Sequence, residues 1–407
     1  MRDQDMTVNA FAGTTRRPTR AVLAAVVLPA LLLCGCGGST RGLPHAAPES
    51  VDVDGAALRS AADVYRAAVE RDDVRGAVVL VARRGHVITH EAVGWRDKEG
   101  GLPMQTDTLF RMASNTKPLT ATGVLMLAEE GRVALNAPLG DYLPAYRQGR
   151  NASIRVDHLL THTSGYQIDG NLNHFYPVLQ ASPEHPDAPR LGIEIDRLAA
   201  VGPVTEPGTV YSYSNAGYNM LAALIEARSG LWLEQFFETR IFGPLGMVDS
   251  AAWEPSADPQ RMATTYQRVA GQWRVTWQPG GLASNWFPSG AAGVVSSTTD
   301  YALFCQAFLN GGTYAGVRLL SAESVRVATQ PYTRPLYTAA QQAEATRWFY
   351  GYGWNVRSDG SYYHGGAHGT WAYIEPAQEL IILVFTQSVG GSNPRDEYVA
   401  RVHAALR

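Results

Sequence analysis

Lysine is the scarcest charged residue in this chain: its 407 residues include 32 arginines but only two lysines, Lys98 and Lys117. Neither lysine follows a glycine, which excludes the Gly-x-x-x-x-Gly-Lys-Ser/Thr loop that binds nucleotide phosphates. Arginine keeps its proton in proteins, whereas lysine can lose it. The two lysines are therefore the positions to inspect for proton transfer by a basic side chain.

An excess of charge of either sign is also absent. The chain has 34 basic and 37 acidic residues, a formal net charge of -3, and no long run of like charges. Nucleic-acid binders usually carry a basic excess, so the composition argues against a nucleic-acid partner. The Gly-x-Ser-x-Gly motif is missing as well, which disfavours an α/β-hydrolase.

Cysteine is limited to three residues, and two of them end an apolar segment. Residues 21–34 are apolar throughout and follow arginines at 16, 17 and 20, which is the pattern of a secretory signal. The sequence Leu-Cys-Gly-Cys at 33–36 resembles a bacterial lipobox, so residues 1–36 are predicted to be a signal peptide with Cys36 as the lipidated residue. The alternatives are a membrane anchor helix and an ordinary cleavage site near Gly35. The first interpretation predicts export and attachment to a membrane through a lipid.

Strand patterns lie at both ends of the chain, with helical patterns between them. Residues 37–54 are predicted to be a tether before one domain over 55–407. Residues 77–94 form two β-rich runs with a hairpin between them. The other predicted strands are 349–356, 361–364, 369–374 and 380–387, and the predicted helices are 55–71, 118–130, 216–229, 232–242, 300–310, 321–329 and 395–406. The pattern predicts an α+β fold, with one antiparallel sheet from both chain ends flanked by helices, and a helical subdomain inserted over about 132–345.

Ser114 and Lys117 are spaced three residues apart at the start of a predicted helix. Residues at i and i+3 share a helix face. A serine hydroxyl becomes a good nucleophile when a base takes its proton, and a neutral lysine in a desolvated pocket is such a base. The same pair also fits a plain helix start, with Ser114 as the cap and Lys117 in solvent.

Four segments together resemble the serine β-lactamase and penicillin-binding protein superfamily. Ser114 and Lys117 lie in the sequence DTLFRMASNTK at 107–117, and LLTHTSG follows at 159–165. Tyr213-Ser214-Asn215 resembles the second motif of the superfamily, and His364-Gly365-Gly366 resembles the third. The Tyr-x-Asn and His-x-Gly forms are similar to those of class C β-lactamases, related D,D-peptidases and family VIII carboxylesterases. The resemblance covers about residues 60–405 and implies a β-lactamase/transpeptidase-like fold.

The resemblance assigns roles in catalysis to three residues. It implies that Ser114 is the nucleophile and that Lys117 relays its proton. Tyr213 would pass a proton to the leaving group and activate the water that cleaves the acyl-enzyme. With a reference pKa of about 10, Tyr213 is expected to need a cationic Lys117 nearby to act as a base.

The resemblance also implies a substrate-binding set, with Asn215 holding the acyl group and Lys117. The main-chain N–H groups of Ala367 and Ser114 would form an oxyanion hole, and Gly366 would let the substrate approach its strand. β-Lactamases of this type usually have lysine where this chain has His364, and a neutral histidine binds a substrate carboxylate less well.

The predicted function is that of an exported serine hydrolase acting on an ester or a D-amino-acid amide, with a small-molecule or peptidoglycan-derived substrate. The alternatives are a class C-type β-lactamase or D,D-carboxypeptidase, and a non-turnover penicillin-binding or scaffold protein. His158 and His162 have the spacing of zinc ligands, but no third ligand is evident nearby, so no metal or organic cofactor is predicted. The oligomeric state is left open.

Overall fold

An eight-stranded antiparallel sheet lies at the centre of the fold. The computed structural model describes residues 42–166, 190–281, 283–284 and 287–407. In these residues the strands, numbered β1 to β15 in chain order, are Gly76–Arg83, His86–Asp97, Leu102–Pro103, Phe110–Arg111, Thr265–Val269, Gln272–Trp277, Val295–Ser296, Thr313–Tyr314, Val317–Arg318, Phe349–Tyr350, Asn355–Val356, Tyr362–Gly365, Trp371–Glu375, Leu380–Thr386 and Ser388–Val389. The central sheet has the order β10-β11-β12-β13-β14-β1-β2-β3.

Strands β1 and β14 come from opposite ends of the chain and pair from Ala77 opposite Thr386 to Arg83 opposite Leu380. Both strands are buried along their whole length. Their sequences are nearly continuous apolar runs, as strands covered on both faces require. The predicted antiparallel sheet from both chain ends is confirmed.

Helices cover both faces of this sheet. In the described residues the helices, numbered α1 to α11 in chain order, are Gly55–Glu70, Thr116–Glu129, Val156–Leu160, Arg190–Val201, Asn215–Ser229, Leu233–Phe237, Gly243–Leu245, Thr298–Leu309, Ala322–Ala328, Ala339–Ala343 and Arg395–Ala404. One core lies under the terminal helices α1 and α11. A larger core lies on the opposite face, against α2, α5 and α8. The predicted α+β class is confirmed.

The segment predicted as a tether packs on the domain from Gly42 onward. Leu43, Val51 and Val53 are buried, and Val53 forms a main-chain bridge with Leu406. The prediction of a tether therefore does not hold for residues 42–54. A glycine- and proline-rich composition indicates irregular backbone, but it does not show whether the few apolar residues within it find a buried site.

The region predicted to be a helical insertion also contains strands. Strands β5 and β6 form a hairpin whose turn residues, Ala270 and Gly271, have φ values of 50° and 81°. Two consecutive positive φ values are typical of the tight turns that join antiparallel strands. Residues Gln272–Trp277 of β6 alternate polar and apolar side chains, which is typical of a strand, so this hairpin had a signal in the sequence that the prediction of a helical region missed. The strand predicted over 349–356 is likewise two short strands, β10 and β11, separated by a turn.

Within the ranges described above, no helix has the length and apolar character needed to cross a bilayer. The predicted signal peptide and Cys36 lie outside the described residues.

Candidate active site

Ser114 lies at the junction between a short strand and a buried helix. Strand β4 ends at Arg111, and a single 3₁₀ turn over Ala113–Asn115 leads into α2. Ala113 has a φ of 45°, which is uncommon for a residue with a side chain. Ser114 is partly exposed although its neighbours on both sides are buried. The local backbone therefore presents one hydroxyl at the surface of an otherwise closed core.

Lys117 lies beneath this hydroxyl and is completely buried, with 0% of its surface exposed. Its Nζ is 2.9 Å from Ser114 Oγ. It also lies 2.8 Å from Asn215 Oδ1 and 2.9 Å from the main-chain oxygen of Ala291. Burial lowers the pKa of Lys117 well below its ordinary value, because the cation loses its hydration. The alternative in which this motif is a plain helix start with Lys117 in solvent is therefore wrong.

Three oxygens lie within hydrogen-bond distance of Lys117 Nζ, which an ammonium meets with three N–H groups and a neutral amine with two N–H groups and a lone pair. Asn215 Oδ1 and Ala291 O are both acceptors and use two N–H groups of Lys117. In the neutral form, which burial favours, the lone pair of Nζ is left to accept the Ser114 O–H. The contact between Lys117 and Ser114 is therefore that of a base with the proton it is to remove.

Tyr213 and Asn215 enter the site from the start of α5. Ser214 caps this helix by accepting the N–H of Gly217, so Asn215 is its first residue and not its cap. The ring centre of Tyr213 is 4.7 Å from Lys117 Nζ. Burial raises the pKa of Tyr213, opposed by a hydrogen bond with Ser114. Tyr213 is therefore a protonated phenol at neutral pH, and its action as a base beside a cationic Lys117 stays a prediction.

His364 is part of the floor of the site, with 2% of its surface exposed. Its Nε2 lies 2.9 Å from the hydroxyl of Tyr350, and its Nδ1 lies 3.0 Å from the oxygen of Gly365. A neutral ring satisfies both contacts, since Nδ1–H donates to the carbonyl and Nε2 accepts the phenol proton. Burial lowers the pKa of His364 to about 3, because a charged ring would lose its hydration. The ring of His364 therefore makes its hydrogen bonds inside the protein, and its role in substrate binding stays a prediction.

Gly366 brings the end of β12 against the nucleophile segment. A Cβ atom on Gly366 would overlap with the oxygen of Met112 and with Thr370 Oγ1. Thr370 Oγ1 donates to Met112 O at 3.0 Å and accepts from Asn115 Nδ2 at 3.0 Å. Ala367 is exposed at the turn that follows. Only glycine permits this approach, and the oxyanion role of the Ala367 N–H stays a prediction.

Sequence reasoning missed the carbonyl of Ala291. Asn219 Oδ1 accepts from Ser289 Oγ at 2.8 Å and from the Ala291 N–H at 3.3 Å, which fixes the loop that carries this carbonyl. Thr120 Oγ1 donates to Gly290 O at 2.7 Å from α2. A main-chain oxygen cannot be predicted from residue type, and the only indication of this loop in the sequence is the run of small residues over 288–293.

The two histidines considered as zinc ligands are engaged by the main chain. His158 Nδ1 accepts the N–H of Arg155 at 3.3 Å, and His162 Nδ1 accepts the N–H of Ser214 at 3.0 Å. Within the described part of the chain, no three candidate ligand side chains converge on one point.

A serine hydroxyl held against a desolvated amine in an open site is the chemistry of acyl transfer, and the protein is a serine hydrolase. The Beta-lactamase family model matches residues 61–406, so the chain belongs to that family.

Two curated relatives and one solved structure show the extent of this similarity. Protein Rv1367c of Mycobacterium tuberculosis is 30% identical over 350 residues, 77% of this chain and 85% of the relative. Esterase EstB of Burkholderia gladioli is 31% identical over 406 residues, 87% of this chain and 98% of EstB. The structure of EstCE1, a hydrolase with promiscuous acyltransferase activity, has a TM-score of 0.71 at 23% identity, covering 86% of this chain and 98% of EstCE1. The last similarity supports the fold alone.

Proposed function

We propose that the protein is an exported, lipid-anchored esterase that cleaves carboxylic esters through an acyl-enzyme on Ser114. The observation that carries this proposal is the completely buried Lys117, whose Nζ lies 2.9 Å from Ser114 Oγ. The name and coverage of EstB support an ester as the substrate. The apolar segment at 21–34 and Cys36 support export and lipidation.

In the first half of the reaction, Ser114 Oγ attacks the ester carbonyl carbon while Lys117 Nζ accepts the hydroxyl proton. The N–H groups of Ser114 and Ala367 stabilise the resulting oxyanion. Collapse of the tetrahedral intermediate breaks the bond to the alcohol oxygen, which takes a proton from the phenol of Tyr213. Tyr213 recovers a proton from the Lys117 ammonium, and the products are an alcohol and an acyl-Ser114 ester.

In the second half, water attacks the acyl carbonyl and gives its proton to Lys117, through Tyr213. The intermediate then releases Ser114, which takes the proton back from Lys117. The carboxylic acid leaves, and every group returns to its starting protonation state. Each ester consumes one water, and no group beyond the described side chains is needed.

The charges around Ser114 favour a neutral substrate. β-Lactams and D-alanyl peptides present a carboxylate that is best bound by a fixed cation. His364 is neutral and buried. Arg111, three residues before the nucleophile, is bound to Glu254 at 2.5 Å and to Ser284, with 7% of its surface exposed. Neither side chain offers a free positive charge, and an uncharged ester needs none.

A comparison of substrates tests this proposal. We expect kcat/KM of the full-length protein to be higher for p-nitrophenyl butyrate than for nitrocefin or for a peptide ending in D-Ala-D-Ala. Ser114→Ala, which keeps the fold and removes the nucleophile, is the control for background hydrolysis. A higher value for nitrocefin or for the peptide would replace the ester assignment by a β-lactamase or D,D-carboxypeptidase. A single burst of product without turnover would instead identify a penicillin-binding protein that is acylated and stalls.

A further inference from the structure

His162 holds the main chain on both sides of Tyr213. Its carbonyl oxygen accepts the N–H of Ser212 at 2.8 Å. Its Nδ1 accepts the N–H of Ser214 at 3.0 Å. The two N–H groups that flank Tyr213 are thus bound by a single residue, and a side-chain nitrogen takes the place that a second carbonyl would have in a β-ladder.

The ring of His162 also packs on the ring of Tyr213, with 4.2 Å between the centroids and 39° between the planes. On its other sides it contacts Tyr350 at 4.5 Å and Tyr218 at 4.9 Å. The hydroxyl of Tyr218 donates to the oxygen of Leu160 at 2.9 Å, which ties this cluster to the segment that carries His162. The packing therefore limits rotation of the Tyr213 side chain, while the hydrogen bonds fix its backbone.

The protonation state of His162 is set by these contacts. Because Nδ1 is an acceptor, the neutral ring carries its proton on Nε2. Burial lowers the pKa of His162 well below its ordinary value, because a charged ring would lose its hydration. A second proton would sit on Nδ1 and abolish the bond from Ser214. The ring is therefore fixed as one neutral tautomer.

The backbone of His162 is unusual as well. Its φ is 57°, in the left-handed region that residues with a side chain seldom occupy, although histidine, asparagine and aspartate do so more often than the others. Only 1% of its surface is exposed, and among the described residues its Nε2 has no hydrogen-bond partner. Such a conformation persists where the surroundings require it, and strained positions cluster at functional sites.

We infer that His162 is a positioning residue for the Tyr213 phenol, aligning it between Ser114 and Lys117 without touching the substrate. This inference rests on the proposed function, because it assigns His162 to the proton transfers of Tyr213. His162→Ala removes the acceptor and the ring contact. His162→Asn keeps an acceptor near the position of Nδ1 and tolerates a positive φ.

The experiment is a double-mutant cycle with Tyr213→Phe, measured as kcat and KM for p-nitrophenyl butyrate. We expect His162→Ala to lower kcat at least about tenfold with little change in KM, and His162→Asn to restore it to within about threefold. In the Tyr213→Phe background, His162→Ala should cost less than about twofold, since the phenol it aligns is gone. Equal losses in both backgrounds would overturn the inference.

Controls separate positioning from simple destabilisation. His158→Ala removes a buried histidine four residues away whose Nδ1 also accepts a main-chain N–H, and it should leave kcat unchanged. If His162→Ala does not fold, His162→Gln replaces it, because its amide oxygen lies one methylene too far to meet Ser214. Equal kcat for the Gln and Asn variants would overturn the inference. Full activity of Tyr213→Phe alone would contradict the proposed mechanism, which is a separate failure.

Discussion

At the residue scale, the chemistry depends on how many protons Lys117 carries. Two acceptor oxygens, from Asn215 and Ala291, occupy the two N–H groups of a neutral amine. The third direction is left for the hydroxyl of Ser114. Complete burial favours this neutral form, because the desolvation of an ammonium costs several kcal/mol. The same packing that stabilises the core thus prepares the base.

The first prediction concerns the type of basic residue at position 117. Lys117→Arg should lower kcat/KM about as much as Lys117→Ala, by roughly 10²-fold or more, because a guanidinium does not accept the serine proton. Lys98→Arg is the matched control, since Lys98 is the other lysine of the chain and lies at the surface, 2.8 Å from Asp72. Esterase assays on the three variants check this. Retention of a tenth of the activity in Lys117→Arg would reduce Lys117 to an electrostatic role.

At the scale of elements, the site is assembled where three of them meet. The turn after β12 lies against Met112 through Gly366. Helix α5 supplies Asn215 as its first residue, Tyr213 lies two residues before it, and α2 supplies Lys117 from its first turn. None of these elements forms the site alone, so activity depends on how closely the three elements approach one another.

Gly366→Ala tests this approach. The added methyl group would overlap with Met112 O and Thr370 Oγ1 and force β12 away from the nucleophile segment. We expect a loss of about 1–3 kcal/mol in the free energy of unfolding, as for overpacked cores, and a slower reaction with a fluorophosphonate probe. The adjacent Gly365 is the control for stability, because a Cβ atom there would meet Trp371 Cδ1 at an ordinary 3.5 Å. Equal stability of the two alanine variants would contradict the prediction.

A second link between elements is sensitive to pH. His403 of α11 contacts Glu375 at the end of β13, with 2.7 Å between Nε2 and Oε2. The carboxylate raises the pKa of His403, and the histidine lowers the pKa of Glu375. Arg357 has a smaller, opposite effect and lowers the pKa of His403. The contribution of His403 to the free energy of unfolding is full below pH 6.5 and is lost as the pH rises through the pKa of His403 in the folded protein. The contribution of Glu375 is full above pH 4.5 and is lost as the pH falls through the pKa of Glu375 in the folded protein.

The pair therefore stabilises the protein most between about pH 4.5 and 6.5. His403→Gln should lower the free energy of unfolding by up to about 1 kcal/mol at pH 5.5, a modest amount because both groups are partly exposed. The difference from the original protein should disappear near pH 9. Urea denaturation at the two pH values measures this, and a deficit independent of pH would disprove the linkage.

At the scale of the whole molecule, both ends of the domain join one sheet. The pairing of β1 with β14 and the packing of α1 with α11 close the fold. Residues 42–54 are attached to the same region, through Leu43 and through the bridge of Val53 to Leu406. Residues 42–54 are therefore part of the packed domain.

Cys36→Ser tests the anchor. We expect the variant to retain its esterase activity and to move from the membrane fraction to the soluble fraction, because it lacks the thiol that accepts the lipid. Cys34→Ser, two residues earlier in the same segment, is the control and should stay in the membrane fraction. Equal partitioning of the Cys36 variant and the original protein would contradict lipidation at this position.

The sequence by itself determined the order of the motifs, the central strands and the candidate catalytic residues. Strands β1 and β14 are continuous apolar runs, and the spacing of Ser114 and Lys117 places them together within a single turn. These are local properties, and local periodicity and spacing are what a sequence displays directly. The pairing of Lys117 with Asn215 followed from the resemblance of motifs, which carries long-range information that periodicity lacks.

Tertiary structure decided the protonation and orientation of these groups. The carbonyl of Ala291 completes the hydrogen bonds of Lys117 from 174 residues away, and a main-chain acceptor leaves no side-chain signal. His364 becomes an internal residue because Tyr350 meets its ring. His162 becomes a support for Tyr213 through one side-chain nitrogen. Burial and hydrogen bonding depend on atoms brought together from distant segments, so the fold alone fixes which of these side chains are charged and where they point.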